Sequence, residues 1–398
     1  MQKDTRHFSS KRSMMVFSMM LRELRLIKKI PSLFIMVFIY PILIMGIFFA
    51  IYNQGSITQI PIAIIDQDQS VASRELIQKV AASSEIQVSE RYHDLSVAKK
   101  DLLAAKVYAV IMIPPDFEKQ MLANTQPEVT TFYNNQYMTV GSTASRAIST
   151  SLSGLISEIQ LQKMANNSIP TAIGKSQLKP IDIDLRPLFN PTLSFIVTLV
   201  SGAFPAVMQI IMMFAVTASI QKERRYQPNL NSLRRLAHNN PFTFMLNKCA
   251  MYFAIFIIPL LLMDIIMINY YGLSIQGSLP LLLLGDLLFI SSSLAIGSMF
   301  AIFIADQFTN FGVVGIFSSP AFGFTGLIFP RLAMNGFAYV WGGLLPVTWY
   351  IQLRLDQTLR GLTSIEALTP IFFMLLLTII SLSLIGFKFK QYSKQGGK

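Results

Sequence analysis

Residues suited to redox, metal or nucleophilic chemistry are scarce in this chain. The one cysteine, Cys249, can form no internal disulfide, so any domain outside the cytoplasm must be stable without one. Three histidines, His7, His93 and His238, lie far apart and suggest no metal site. Charged residues make up only 14% of the 398, against roughly a quarter in ordinary soluble domains. No complete phosphate-binding loop is present. Gly174-Lys175-Ser176 has the right ending, but Ile169 stands where the pattern needs a glycine. Nucleotide hydrolysis by this chain is therefore not expected.

Apolar residues dominate, at 52% of the sequence. Several uninterrupted apolar runs of about 20 residues mark an integral membrane protein. The net charge of +12 is unevenly placed. Residues 53–187 carry 12 basic and 13 acidic side chains, and all other residues together carry 21 basic and 8 acidic. Such a distribution follows the preference of Lys and Arg for the cytoplasmic side of span ends, so nucleic acid is not an expected partner.

Residues 1–30 are basic. Phe17, Met20, Leu24 and Ile27 share one helical face, with Arg22, Arg25 and Lys29 opposite, which predicts a cytoplasmic amphipathic helix lying on membrane lipid. Residues 31–52 form the first span. The run is too long for a signal core and is followed by no small-residue cleavage pattern, so it reads as an uncleaved anchor. Residues 53–187 alternate strand and helix patterns and predict an extracytoplasmic α/β or α+β domain with helices on one face of its sheet. Within it, Asp66 and Asp68 on a D-x-D-x-S turn read as caps for the following helix in preference to metal ligands.

Residues 188–388 are expected to hold five more spans, near Thr192–Ser219, Cys249–Tyr271, Leu279–Ala305, Phe308–Phe329 and Leu368–Phe387, before a basic cytoplasmic tail at 389–398. The expected fold class is thus a membrane all-α six-span bundle with an inserted α/β domain and both termini cytoplasmic. Residues 329–361 are apolar and aromatic but broken by Pro330, Gly336, Gly342, Gly343 and Pro346, which predicts a re-entrant or interfacial pair of short helices. The sizeable polar loop Gln221–Lys248 carries six basic side chains against Glu223, and its Leu230, Leu233 and Leu236 recur at helical spacing beside Arg234 and Arg235. The leucines of such a helix need a cover, either the membrane surface or a soluble partner. Two carboxylates, Asp264 and Asp286, fall inside the third and fourth spans at equal distance from the connecting loop. No Lys, Arg or His lies within any span to neutralise them, so a shared proton, a cation or a polar cavity is expected, along with a place on the transport path. Hydrogen bonding to Ser or Thr on a neighbouring span would make them purely structural.

These parts, in this order, resemble the membrane subunit of a type-2 ABC exporter, in the subgroup with a large extracytoplasmic domain after the first span. AIIDQDQSVASRELIQKV resembles that domain's opening strand, acidic turn and helix, and AAKVYAVIMIPPDFEKQMLANTQPEVTTFYNN its next block. GLIFPRLAMNGFAYVWGGLLPVTWYIQLRLDQTLRG resembles the family's most recognisable segment, through Gly326, Pro330, Pro346, Arg354 and Gly361. The central loop departs: Gln221-Lys222-Glu223-Arg224-Arg225 is not followed by the usual Gly-Thr. The resemblance implies a permease of the bacterial inner membrane that pairs with a second permease copy or paralogue and with cytoplasmic ABC ATPase subunits. ATP and magnesium would belong to those ATPases, and no cofactor to this chain. It implies that Glu223, Leu230, Leu233, Arg234, Arg235 and Leu236 form the ATPase-coupling loop, and it allows a periplasmic adaptor and drugs, lipids, glycans or ions as substrates. Spans rich in Met and Phe suit hydrophobic or amphipathic molecules. Two other readings stand beside it: a secondary transporter driven by an ion gradient through Asp264 and Asp286, and a membrane scaffold or receptor that binds a partner outside.

Overall fold

A computed structural model describes residues 2–51, 58–123, 128–134, 138–166, 196–227, 230–237, 240–362, 365 and 367–395. The Gly174-Lys175-Ser176 tripeptide, His238, Asn239 and the start of the second expected span lie outside them. The chain divides into two compact units, Met1–Gly55 with Leu188–Lys398, and Ser56–Pro187.

The first unit opens with helices α1 (Gln2–Lys29) and α2 (Pro31–Ile51), the latter widened by a π turn at Ile35–Ile39. The break between them falls at Ile30, whose extended backbone precedes Pro31, as expected for a residue before proline. Only part of the expected apolar face of α1 is buried, and an acid is buried with it. Phe17 is 62% exposed, whereas Glu23 and Ile27, one turn apart, are fully enclosed. The charged side chain is inside because partners on other helices meet it there.

In the second unit the order is β1 (Ile60–Asp66), α3 (Val71–Ala81), β2 (Ile86–Tyr92), α4 (Leu95–Leu103), β3 (Ala109–Ile113), α5 (Phe117–Leu122), β4 (Thr130–Tyr133) and α6 (Met138–Asn166). The sheet order is β2-β1-β3-β4, parallel except for β3 against β4. Helices cover both faces, not one. Ile60, Ile62, Ile64, Ala109 and Ile111 pack under α3, α5 and α6, while Ala63, Ile65 and Val110 pack with Ala98 of α4. A central strand buried on both sides needs the continuous apolar run that β1 has. The turn aspartates divide the capping. Ser70 caps α3, and Asp66 braces the turn through the amides of Asp68 and Gln69. Asp68 caps α5 instead, accepting from Phe117 N and Glu118 N at 3.0 Å each. Burial alone would raise the Asp68 carboxyl, but the Ser70 hydroxyl and these amides outweigh it and hold the group below the usual carboxylate range.

The first unit resumes with a π turn at Ile196–Val200 and α7 (Ser201–Tyr226), then α8 (Asn231–Leu236), α9 (Pro241–Asn269), α10 (Leu279–Phe303), α11 (Gln307–Ser318), α12 (Ala321–Phe324), α13 (Gly336–Leu344), α14 (Pro346–Leu355) and α15 (Leu368–Gln395). Five described helices, α2, α7, α9, α10 and α15, are long and apolar enough to cross a membrane. The fifth expected span, Phe308–Phe329, is not a single helix. α11 has 12 residues, about 18 Å, and the chain turns at Ser319-Pro320 and again at Gly326, whose φ of +90° suits glycine.

α10 is central, packing extensively on α7 and α15. Gly297 makes the contact with α7 close, since a Cβ there would stand 2.9 Å from Met213 Cα. Thr217, Gln221 and Arg224, successive on one face of α7, donate to carbonyls of α10 and its end at Gly297, Ala301, Ile302 and Ile304. Arg224 thereby satisfies the carbonyls that a helix C-terminus leaves open. Counted with the basic loop by sequence, it is a structural cap.

Candidate functional site

Two polar clusters lie inside the helical unit, both on α9. The first begins with a π turn at Met245–Cys249, which turns Asn247, Lys248 and Cys249 inward together; three consecutive buried residues fit a π turn better than a regular amphipathic stripe. Lys248 Nζ donates to Glu23 Oε2 of α1 at 2.8 Å and to Glu223 Oε1 of α7 at 2.5 Å. Arg22 adds a contact to Glu223 at 3.2 Å, and Ser219 donates to Glu23 at 3.2 Å. Two carboxylates face two cations, so the formal charges of the cluster balance, although Glu223 Oε2 finds no hydrogen-bond donor among the described residues. Breaking such a buried arrangement by removing one member costs about 3–5 kcal/mol. Lys248, expected in the basic loop, is thus a buried residue that joins α1, α7 and α9.

α8 sits beside this cluster. Leu233, Ala237, Phe244, Asn247, Lys248 and Arg22 line one small recess. Leu230 and Leu233 are 1% and 2% exposed. Leu230 and Leu233 therefore find their cover within this chain, not in lipid or a partner, because Ala237 and Phe244 supply an apolar seat. Asn231 and Arg235 remain exposed, and Arg234 is half-buried. Leu236 belongs to α8, and nothing further is described of its side chain.

The second cluster lies 16 residues further along α9, about 24 Å at 1.5 Å per residue. Asp264 forms an ion pair with Arg354 of α14. Arg354 Nη1 also donates to Tyr350 Oη at 3.3 Å, and Tyr350 donates to Asp286 Oδ1 of α10 at 2.7 Å. Arg354 and Asp286 are fully buried, and Asp264 is 6% exposed. Tyr350 is fixed by stacking on Phe289 at 4.5 Å. The counter-charge that no span contains comes from the short helix after Pro346. Ser and Thr are not the partners of these carboxylates in the structure.

The residues of the 329–361 segment have definite places. Pro330 precedes a 3₁₀ turn at Arg331–Ala333. Arg331 lies under the Tyr339 and Trp349 rings at 4.7 and 5.0 Å. Pro346 starts α14, where its missing N–H costs nothing. The π turn Asp356–Arg360 continues that helix and ends at Gly361, with φ of +63°. Gln357 then holds the loop between α9 and α10, accepting from Ser278 N at 2.8 Å while its carbonyl accepts from Gly277 N. Among the described residues, no group of three or more His, Cys, Asp or Glu is arranged to hold a metal.

Sequence reasoning missed Glu23, Lys248 and Tyr350. The signals were present: an acid in a basic helix, a lysine at the head of an apolar run, and a tyrosine four residues before an arginine in VTWYIQLRL.

Residues 31–387 match the family described as ABC-2 family transporter protein. Among curated relatives, the probable multidrug ABC transporter permease YbhS of Escherichia coli K12 is 22% identical over 383 residues, 94% of this chain and 97% of its own. The inner membrane transport permease YhhJ of the same strain is 24% identical over 287 residues, 71% and 72% of the two chains. The linearmycin resistance permease protein LnrN of Bacillus subtilis 168 is 29% identical over 107 residues, 27% of each. With a match that runs from the first span to the end of the last, the chain belongs to the ABC-2 family of transporter proteins.

Proposed function

We propose that this chain is the permease of an ATP-driven exporter in a bacterial inner membrane, moving a hydrophobic or amphipathic substrate such as a drug or lipid out of the cytoplasm or the membrane. ATP binding and hydrolysis belong to separate cytoplasmic subunits, and a second permease, identical or paralogous, completes the path. The family supports the permease role, and the multidrug name of the relative that aligns over 94% of this chain favours a drug-like substrate. N- and C-termini and the loop around α8 are cytoplasmic, and the α/β unit is extracytoplasmic.

The observation that carries this reading is the neutral cluster of Arg22, Glu23, Glu223 and Lys248. It locks α1 to the ends of α7 and α9 directly beside α8. A force applied at α8 is thereby passed to two long helices and to α1 as one body. Leu230 and Leu233 seat the lever, and Glu223 joins it to the cluster. Arg234, Arg235 and Asn231 form the face offered to the ATPase.

Co-expression with a candidate ABC ATPase, followed by a screen for substrate-stimulated ATP hydrolysis, tests the function. Arg235→Glu changes an exposed side chain and should lower ATPase co-purification several-fold with membrane insertion unchanged. Undiminished co-purification would refute the contact. The ion-gradient alternative has one observation in its favour, the two buried carboxylates; transport that persists without any ATPase would select it. As pathway residues, Asp264 and Asp286 would act in a state that uncovers them. Changing both to Asn should then abolish preference for cationic substrates while sparing neutral ones.

A further inference from the structure

The second cluster holds two carboxylates and one guanidinium, and its charges do not balance. Asp264 takes the Arg354 charge directly, whereas Asp286 receives only the Tyr350 hydroxyl. Among the described residues Asp286 Oδ2 is fully enclosed and has no partner, and Nε and Nη2 of Arg354 are buried without acceptors. The surrounding helices bring no further charge. α7 carries none before Lys222, and α15 none before Lys388. α9 and α10 contribute only the two aspartates at this level, and the nearest charges beyond α14, Asp356 and Arg360, pair with each other at 2.8 Å. An ionised carboxylate with a single neutral donor, enclosed in a membrane bundle, is strongly disfavoured.

We propose that Asp286 is a proton-binding site that holds one proton at neutral pH, on its unpartnered Oδ2, and that this proton is the missing charge of the cluster. The bound form is a neutral carboxylic acid that accepts from Tyr350 through Oδ1, beside a closed Asp264–Arg354 pair. Loss of the proton leaves two carboxylates competing for Arg354, whose spare donors allow it to turn from α9 towards α10. The proton therefore sets which long helix α14 is tied to. That goes beyond the coupling role of α8 and does not depend on it.

The test is infrared difference spectroscopy of the full-length protein in lipid nanodiscs at pH 7, wild type against Asp286→Asn, Asp264→Asn and Tyr350→Phe. The expected result is a carboxylic-acid carbonyl band in the wild type that is lost in Asp286→Asn and retained in Asp264→Asn. Tyr350→Phe keeps the ring stacked on Phe289 and removes only the hydroxyl, so it should shift that band without abolishing it. It serves as the decisive variant if Asp286→Asn does not fold. Loss of the band in Asp264→Asn alone would overturn the assignment to Asp286. Absence of any band sensitive to these changes would overturn the proton itself, as would a thermal stability that rises with sodium or potassium in the wild type but not in Asp286→Asn, which would make a metal cation the counter-charge.

Discussion

Lys248 is the side chain whose removal should do the most damage in the first cluster. Without it Glu23 and Glu223 remain enclosed, with only the half-exposed Arg22 between them. Lys248→Met should cost about 3–5 kcal/mol, read as a large fall in Tm, and adding Glu23→Gln should recover part of it. A fall that Glu23→Gln does not relieve would assign the loss to packing rather than charge. In the α/β unit, Asp68 gives a pH prediction. Its carboxyl is held below the usual range by Ser70 and the amides that start α5. The stability it contributes is therefore present above the ordinary carboxylate value, about 3.9, and lost as pH falls through the lowered one. Protection of the Phe117 and Glu118 amides, taken relative to the intrinsic exchange rate at each pH, should fall in acid, and in Asp68→Ala should already be low at neutral pH. At this scale the sequence exposed the odd residues but not their partners. Asp264 and Asp286 stand out as charges in apolar runs. Arg354 stands out much less, because it lies outside the apolar runs in sequence and only the fold brings α14 to Asp264 of α9 and Asp286 of α10.

The alternation of strands and helices in the α/β unit was legible, because β-branched runs, prolines and capping residues alternate there at short range. The sheet's second covered face was not, since α4 shows no longer-range mark of which side it takes. In the helical unit, the long spans follow from apolar length alone, but the π turns do not. Two of them make successive residues face inward, at Asn247-Lys248-Cys249 and Asp356-Gln357-Thr358, and so break the periodicity from which burial is read. α8 shows the same limit. Its amphipathic pattern was correct, while its cover lay in Phe244 and Ala237 of the same chain. Leu233→Asp should therefore unseat α8 and lower Tm even with no ATPase present; a variant that loses only ATPase binding at unchanged Tm would return the leucine to the partner. α13 offers a sharper contrast between neighbours. A Cβ on Gly342 would lie 2.2 Å from the Phe324 carbonyl oxygen, whereas one on Gly343 meets nothing closer than 3.5 Å. Gly342→Ala should cost about 1–3 kcal/mol, as overpacking does, and Gly343→Ala should be nearly silent in thermal unfolding.

For the molecule as a whole, the placement of charge sharpens the topology. Arg224 and Lys248 are consumed inside the bundle, as a helix cap and a cluster centre, so neither argues for a cytoplasmic loop. Arg354 and Arg360 each face an aspartate. Lys222, Arg225, Arg234 and Arg235 remain around α8, with a basic α1 and a basic tail, which is the pattern expected of a cytoplasmic α8. Cysteine labelling can read this directly, because Cys249 is 1% exposed and should give no background in the folded protein. A cysteine replacing exposed Ala333 should react with an impermeant thiol reagent on intact cells, and one replacing exposed Arg235 only after the membrane is opened. A cysteine at Thr358 should react from neither side until the protein is denatured, since that residue is 2% exposed and its hydroxyl donates to the Arg354 carbonyl at 2.8 Å. Labelling of the Arg235 position on intact cells, with protection at Ala333, would invert the orientation and place α8 out of reach of any ATPase.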